Sequence, residues 1–437
     1  MNKGVFLAKN SQVYIEAYGC SASFSDFELT AGQLQNLGYD IVEDPKNSDI
    51  NIIITCSVKT VTSNKMTHRI NQLTNHGKPL IVGGCLPKTE LSTIEKINPN
   101  ASIMGPNSID NVGKIVKQTL SGKKVVMLND SKRPKINLPK LRINPIVDIV
   151  EIGSGCLSAC TFCQVKIAKG TIRSYPPDDI KAQITSALNE GCKEIWLTST
   201  DNACYGLDMF IDLADLINMV SSIDHKFITR IGMMNPMHVK NNFSKLVNSF
   251  DDEKIFKFLH IPVQTGSDNI LKSMKRGHNI AEFISMVEKF RKRFPLSAIS
   301  TDIIVGYPGE TYHDFIQTKN LIEALNLDVV NLSKYGARPG TEAIKLPQLD
   351  NSVIKERSQI LSKIIEESSL KCNSKWLNWE GNCIIDETGK KPNTMIGRNF
   401  AYKPVVVKGD KELFGEQIKV KITDYSSHYL LGSALSQ

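Results

Sequence analysis

Between residue 12 and about residue 120, short apolar runs alternate with amphipathic stretches: VYIEAY, FELTAGQLQNLGY, INIIIT, a longer stretch of helical period, PLIVGG and PKTELSTIEKI. Short apolar runs bounded by turn residues predict strands, and the 3.6-residue period between them predicts helices. This part therefore reads as an open α/β domain with a parallel sheet. From about Ile146 a second series begins, with strands predicted at IVDIVEIG, EIWLTST, FITRIGM, FKFLHIPV, SAISTDIIVG and DVVNLSKY. Helical stretches such as PDDIKAQITSALNEG and HNIAEFISMVEKFRKRF separate them, and six β/α units in about 220 residues predict a partial (β/α)6, TIM-like barrel. After a helix ending near Lys375, the runs GNCIID, KPVVVKG and QIKVKITDYSSHYLLGSAL predict a small β-barrel. The fold class is α/β, divided into 1–120, a linker over 121–145, a barrel over 146–372 and a terminal β-domain over 373–437.

Composition narrows the class without changing the architecture. A chain of 437 residues with 41% apolar and 22% charged residues is a multidomain globular protein. No apolar run is long enough to cross a bilayer, and the lysine-bearing start MNKGVFLAKN lacks the apolar core of a signal peptide; a cytoplasmic protein is expected. The formal charge of +8 is concentrated. Lys123, Lys124, Lys132, Arg133, Lys135, Lys140 and Arg142 stand against Asp130 alone in the proline-bearing linker. Such a segment is either a solvated, extended spacer or an arm that meets phosphates.

Ten cysteines are too few for a disulfide scaffold of this length, so reduced thiols or metal ligands are expected. Six stand out. Cys156, Cys160 and Cys163 form a C-x3-C-x2-C triplet after the first barrel strand, with Gly153 and Gly155 allowing a tight loop. Zinc is the competing reading, but no second paired arm or histidine lies nearby in sequence. Cys20, Cys56 and Cys85 each follow a predicted strand, at the edge of an α/β sheet where ligands collect. Two three-thiolate sites suggest two iron–sulfur clusters, each with one iron left open to a substrate or cofactor. Cys192, Cys204, Cys372 and Cys383 are expected to be buried small hydrophobes.

The triplet in GCLSACTFCQ is similar to the signature of radical S-adenosylmethionine (SAM) enzymes. With IEAYGC, IITCSV, GGCLPK, FLHIPVQTGSDNILKSMKRGH, TDIIVGYPGET, LSKYGARPGTEA and YKPVVVKG, nearly the whole chain resembles the methylthiotransferase family, the last motif resembling its TRAM domain. LTSTDNACYGLD, RIGMMNP and GTIRSYP resemble the archaeal and eukaryotic branch that acts on N6-threonylcarbamoyladenosine (t6A) at tRNA position 37. The resemblance implies two [4Fe-4S] clusters and SAM as cofactors. Cys156, Cys160 and Cys163 would hold the radical-generating cluster, and Cys20, Cys56 and Cys85 the auxiliary cluster that presents sulfur.

It also implies tRNA as partner, a TRAM domain and linker that contact it, and no membrane, and it names neither an electron donor nor a sulfur source. Phe162 would lie near the adenine of SAM or be a plain core aromatic. Arg230, Gln264, Asp302 and Arg338 would contact SAM or nucleoside, or be satisfied structural polar groups. LTSTD places Thr200 where the branch carries an acid, and Asp201 is a candidate to compensate. Competing readings are methylthiolation of isopentenyl-adenosine in tRNA or of a ribosomal-protein aspartate, and a non-enzymatic metal-containing RNA-binding protein.

Overall fold

The computed structural model describes residues 10–58, 60–129, 131 and 133–435; Asp130, Lys132 and the lysine-bearing start through Lys9 lie outside them. The chain forms two compact units, one of residues 1–143 with 164–170 and one of 144–163 with 171–437.

The first unit is built on six parallel strands: β1 (Gln12–Ala17), β2 (Asp40–Val42), β3 (Ile50–Thr55), β4 (Leu80–Gly84), β5 (Ser102–Met104) and β6 (Val126–Met127). Their order is β2-β1-β3-β4-β5-β6. Every residue of β3 and β4 is buried, because helices cover both faces of the sheet. Ile52 and Ile54 pack into one apolar cluster and Ile53 into the opposite one, as the two-residue period of a strand requires. β2, β5 and β6 are too short to leave an apolar run in the sequence.

Part of the basic linker is built into the first unit, while Lys123, Lys124 and Arg133 stay exposed. It supplies β6, and Leu138 and Leu141 pack against the core of the first unit. Lys135 Nζ sits 2.6 Å from Asp26 Oδ1 with side chains only 1% and 4% exposed, and Lys140 pairs with the buried Glu28 at 3.6 Å. Both carboxylates belong to the helix Ser21–Asn36, which also carries Gly32. A Cβ at Gly32 would meet the Lys140 backbone at 2.5 Å, so the strap lies directly on this helix. Buried carboxylates demand cations, and the linker lysines answer that demand.

In the second unit, β7 (Val147–Glu151) is followed by a short antiparallel ribbon, β8 (Gly153–Ser154) and β9 (Arg173–Ser174). Then come β10 (Glu194–Thr198), β11 (Ile228–Ile231), β12 (Phe258–His260), β13 (Ala298–Val305) and β14 (Val329–Lys334). The six barrel strands form two parallel sheets, β11-β10-β7 and β12-β13-β14. Three of the alternating helices start with a capping box, at Asp212/Asp215, Asn279/Glu282 and Thr311/Asp314.

The terminal domain is a closed barrel of β15 (Glu380–Thr388), β16 (Thr394–Asn399), β17 (Pro404–Lys408), β18 (Gln417–Tyr425) and β19 (Leu430–Ala434), in the order β15-β16-β17-β19-β18. β16, with the sequence TMIGRN, has too little apolar character to be read in advance. Phe256, Phe258 and Ala298 join the core of this barrel, so the two β-systems share packing.

Candidate functional site

In the first unit, three cysteines follow three neighbouring strands. Cys20 comes after β1 and caps the helix Ser21–Asn36; Cys56 follows β3; Cys85 follows β4 and caps the short helix Leu86–Thr89. Parallel register along β1-β3-β4 brings all three strands to the same carboxyl edge. Two glycines make the close approach. Gly19 has φ 121°, and a Cβ there would lie 2.2 Å from the Cys56 Cβ; Gly84 has φ 92°, and its Cβ would meet Thr55 O at 2.3 Å. No L-residue adopts these geometries without strain.

The three thiols act on one another. The hydrogen bond with Cys56 holds the Cys20 thiol well below the usual thiol range, with Lys169 and Ser23 adding to it. That same bond pushes the Cys56 thiol up, reinforced by burial and by the charges of Cys20 and Cys85. Burial pushes Cys85 up to about 12, against the pull of Lys169. Lys169 is itself buried and ends the helix Val165–Lys169, which packs with this unit.

In the second unit, Cys156, Cys160 and Cys163 lie on the loop after β8, entered through Gly155 at φ 87°. Cys156 is buried, while Cys160 and Cys163 are half-buried. The Ser158 N–H donates to Cys156 Sγ at 3.3 Å, and the Cys163 N–H donates to the Cys160 carbonyl at 3.1 Å, closing a turn around the triplet. The hydrogen bond with Cys204 lowers the Cys156 thiol to about 7, against the effects of burial and Asp201.

A polar network backs this loop. Asp201 accepts from the backbone N–H of Ala203 at 3.1 Å and of Asn235 at 3.0 Å, and from the Cys204 thiol at 3.4 Å. Asn235 Nδ2 donates to Ser158 Oγ at 2.9 Å, and Ser158 Oγ meets His238 Nε2 at 2.9 Å. Asp201 is thus committed to holding the loop's surroundings, and Cys204 is a partner of Cys156 rather than an inert core thiol. Thr200 Oγ1 is buried with no hydrogen-bond partner among the described residues. Asn235 and His238 lie in or just after RIGMMNP, whose partners are too distant in sequence for local spacing to reveal.

The remaining predicted residues divide. Phe162 packs with Ile270, Met274 and Tyr307. Gln264 takes φ 77°, and its backbone bonds to both sides of the Asp302 position: its N–H donates to the Asp302 carbonyl, and its carbonyl accepts from Ile304 N, each at 2.8 Å. Asp302 accepts from Asn331 Nδ2 at 2.8 Å and faces His260 Nε2 at 3.5 Å. Arg338 is buried beyond β14, its carbonyl accepting from Thr341. Arg230 is enclosed by aromatic rings. Its guanidinium carbon lies 5.2 Å from the ring centre of Trp196, 5.5 Å from Phe258 and 5.2 Å from Tyr402, an aromatic cage joining the two β-systems.

Both thiol sets suit a soft metal centre: each offers three sulfurs from glycine-loosened chain, and each has a buried cation nearby, Lys169 for one and Arg276 for the other. Among the described residues, Cys156, Cys204 and Asp201 also bring three donor atoms within 4.8 Å of one another.

Residues 150–322 match the Radical SAM superfamily, 12–105 the uncharacterized protein family UPF0004 and 383–435 the TRAM domain. A Pyrococcus horikoshii protein named "Probable threonylcarbamoyladenosine tRNA methylthiotransferase" is 38% identical over 97% of this chain and 100% of its own length. The threonylcarbamoyladenosine tRNA methylthiotransferase of Xenopus laevis is 33% identical over 96% of this chain and 76% of its own. Among solved structures, a radical SAM methyltransferase from Kitasatospora setae superposes with a TM-score of 0.56 at 11% identity, covering 77% of this chain and 75% of that one; this likeness concerns the fold alone. Fold and loop together define a radical SAM protein flanked by an α/β domain and a TRAM barrel. Within that class, the chain belongs to the threonylcarbamoyladenosine tRNA methylthiotransferase family.

Proposed function

We propose that this chain converts t6A at tRNA position 37 to its 2-methylthio derivative, using SAM and two [4Fe-4S] clusters, one on Cys156, Cys160 and Cys163 and the other on Cys20, Cys56 and Cys85. The observation that carries the reading is the meeting of three strand-end cysteines at one sheet edge, in addition to the triplet loop. A radical enzyme needs only the triplet; sulfur delivery gives a reason for a second thiolate set.

The chemistry requires it. An aromatic C–H at C2 of adenine is not acidic enough for a histidine or carboxylate to deprotonate at neutral pH. Held by Cys156, Cys160 and Cys163, one cluster would supply the electron for radical formation from SAM; held by Cys20, Cys56 and Cys85, the other would supply the sulfur. The protein's share is ligation, orientation and exclusion of quenching solvent. Ser158 N–H and the Cys204 thiol orient Cys156, and Asp201, Asn235 and His238 hold the loop from behind. Gln264 and Asp302 lie at a strand edge where a nucleoside or SAM would be met. The TRAM barrel, tied to the catalytic barrel through the Arg230 cage, is the part that binds tRNA. The reading places the protein in the cytoplasm with its tRNA substrate; among the described residues no helix is long and apolar enough to cross a membrane.

Nucleoside mass spectrometry of tRNA from cells lacking this protein tests the proposal. Loss of 2-methylthio-t6A with accumulation of t6A is expected, restored by the wild-type gene. An unchanged 2-methylthio-t6A level would overturn it, and loss of a methylthiolated isopentenyl-adenosine would redirect it to another base.

A further inference from the structure

Arg276 belongs to the MKRGH segment and is a buried guanidinium with no carboxylate partner among the described residues. The residue is 6% exposed. Lys275, before it, takes a left-handed backbone conformation with φ 55° as the chain leaves the helix Asp268–Ser273, and keeps its own ammonium outside on Glu342. The turn sends the next side chain inward. Arg276 Nη1 donates to Cys160 Sγ at 3.5 Å, Nη2 donates to the Pro262 carbonyl at 2.8 Å, and Nε is buried without an acceptor. Gly277 allows this segment to close on its neighbour: a Cβ there would meet Met237 Cε at 2.9 Å.

A buried cation without a counter-charge is costly, so its position calls for an anion. Nearby histidines do not share the task of supplying positive charge. Burial, and then the charge of Arg276 itself, push His278 down to about 3, and burial also lowers His238. The acceptors that the structure gives Arg276 are one carbonyl and one cysteine sulfur.

We propose that Arg276 is a positioning residue for the radical cluster: it anchors the Cys160 thiolate and, as its counter-cation, makes one-electron reduction of the cluster easier. The inference rests on Cys160 being a cluster ligand, as proposed above. Reduction adds one negative charge to a cluster already bound by three thiolates. A guanidinium hydrogen-bonded to one of those sulfurs stabilises the reduced state more than the oxidised one. The co-reactant is the one-electron reductant that the radical reaction already needs. No covalent bond forms or breaks at Arg276.

The test uses full-length protein reconstituted anaerobically in a C20A/C56A/C85A background, so that one cluster is read. Iron content and the reduced-cluster EPR signal are followed against solution potential for the parent, R276Q and R276K. R276Q is expected to hold the parent's iron while its reduced-to-oxidised ratio falls about tenfold at fixed potential, equivalent to about 59 mV for a one-electron couple. R276K, which keeps the charge, should recover most of that ratio. A wild-type ratio in iron-loaded R276Q would overturn the inference. If R276Q binds no iron, rescue of loading by R276K supports the counter-cation role, and loss of iron from both variants assigns Arg276 to scaffolding and overturns it. A parent that itself binds no cluster would defeat the underlying assignment of Cys156, Cys160 and Cys163, a result distinct from any of these.

Discussion

The two cysteine sets are brought together by opposite means. Cys156, Cys160 and Cys163 sit on one loop, and eight consecutive residues with a flexible glycine at the entrance define them. Cys20, Cys56 and Cys85 come from three loops and share a site only because β1, β3 and β4 are adjacent and parallel. One set is a property of local sequence, the other of sheet topology. A substitution that disturbs sheet packing should therefore damage the second far more than the first.

The sharpest way to break this comparison is to remove one ligand from each set. Cys160→Ala should abolish SAM cleavage, whereas Cys56→Ala should retain cleavage and lose methylthio transfer, with iron falling in both from about eight atoms per chain to about four. Product analysis by chromatography with an iron assay reads both, and full methylthio transfer by either variant would refute its assignment. A backbone change reaches the same contrast. Gly19→Ala places a Cβ 2.2 Å from the Cys56 Cβ at φ 121°. It should empty the auxiliary set while leaving SAM cleavage near normal, and an unchanged iron count would contradict the close approach.

The supports of the two regions differ as well. Lys135→Met removes a buried cation 2.6 Å from Asp26, on the helix capped by Cys20, and should cost about 3 kcal/mol in urea unfolding of the first unit. A cost below about 1 kcal/mol would mean that the strap is dispensable. Protonation beneath the catalytic barrel should also tilt stability with pH. Burial, and then repulsion from Asp386, raise the Glu194 carboxyl to about 8, while Trp196, Arg398 and Arg230 oppose the shift. A raised carboxyl keeps a proton in the folded chain that the unfolded chain has lost, so its contribution to stability declines as pH rises from about 4.5 to about 8. Glu194→Gln should flatten the decline of the second unit's melting temperature across that window. A parallel, undiminished slope would place the titration elsewhere.

The barrel strands were legible because each is an apolar run bounded by turn residues, and the triplet because its spacing is itself the signal. β2, β5, β6 and β16 were not, since two- to six-residue strands with polar content leave no periodic trace. The linker holds a role that its charge hid: counting lysines says nothing about buried acids elsewhere in the chain, and Asp26 and Glu28 draw Lys135 and Lys140 into internal pairing. The sequence marks Cys204 only as a buried small hydrophobe and does not single out Asn235 and Arg276, because Cys156, Ser158 and Cys160 lie tens of residues away from them. Arg230 was noticed for the right chemistry, a cation near a strand end, but the TRAM domain's Tyr402 helps enclose it in aromatic rings.

The adjacency of β1, β3 and β4 also imposes an order on assembly. A nascent or denatured chain already holds Cys156, Cys160 and Cys163 close enough to grip a metal, whereas Cys20, Cys56 and Cys85 become a site only after the long-range pairing of the sheet is complete. Under the proposed ligand assignment, occupancy of the second set would report that the first unit has finished folding, and occupancy of the first set would not. Metal delivered too early would accordingly find the triplet first and could hold it before the rest of the chain is built.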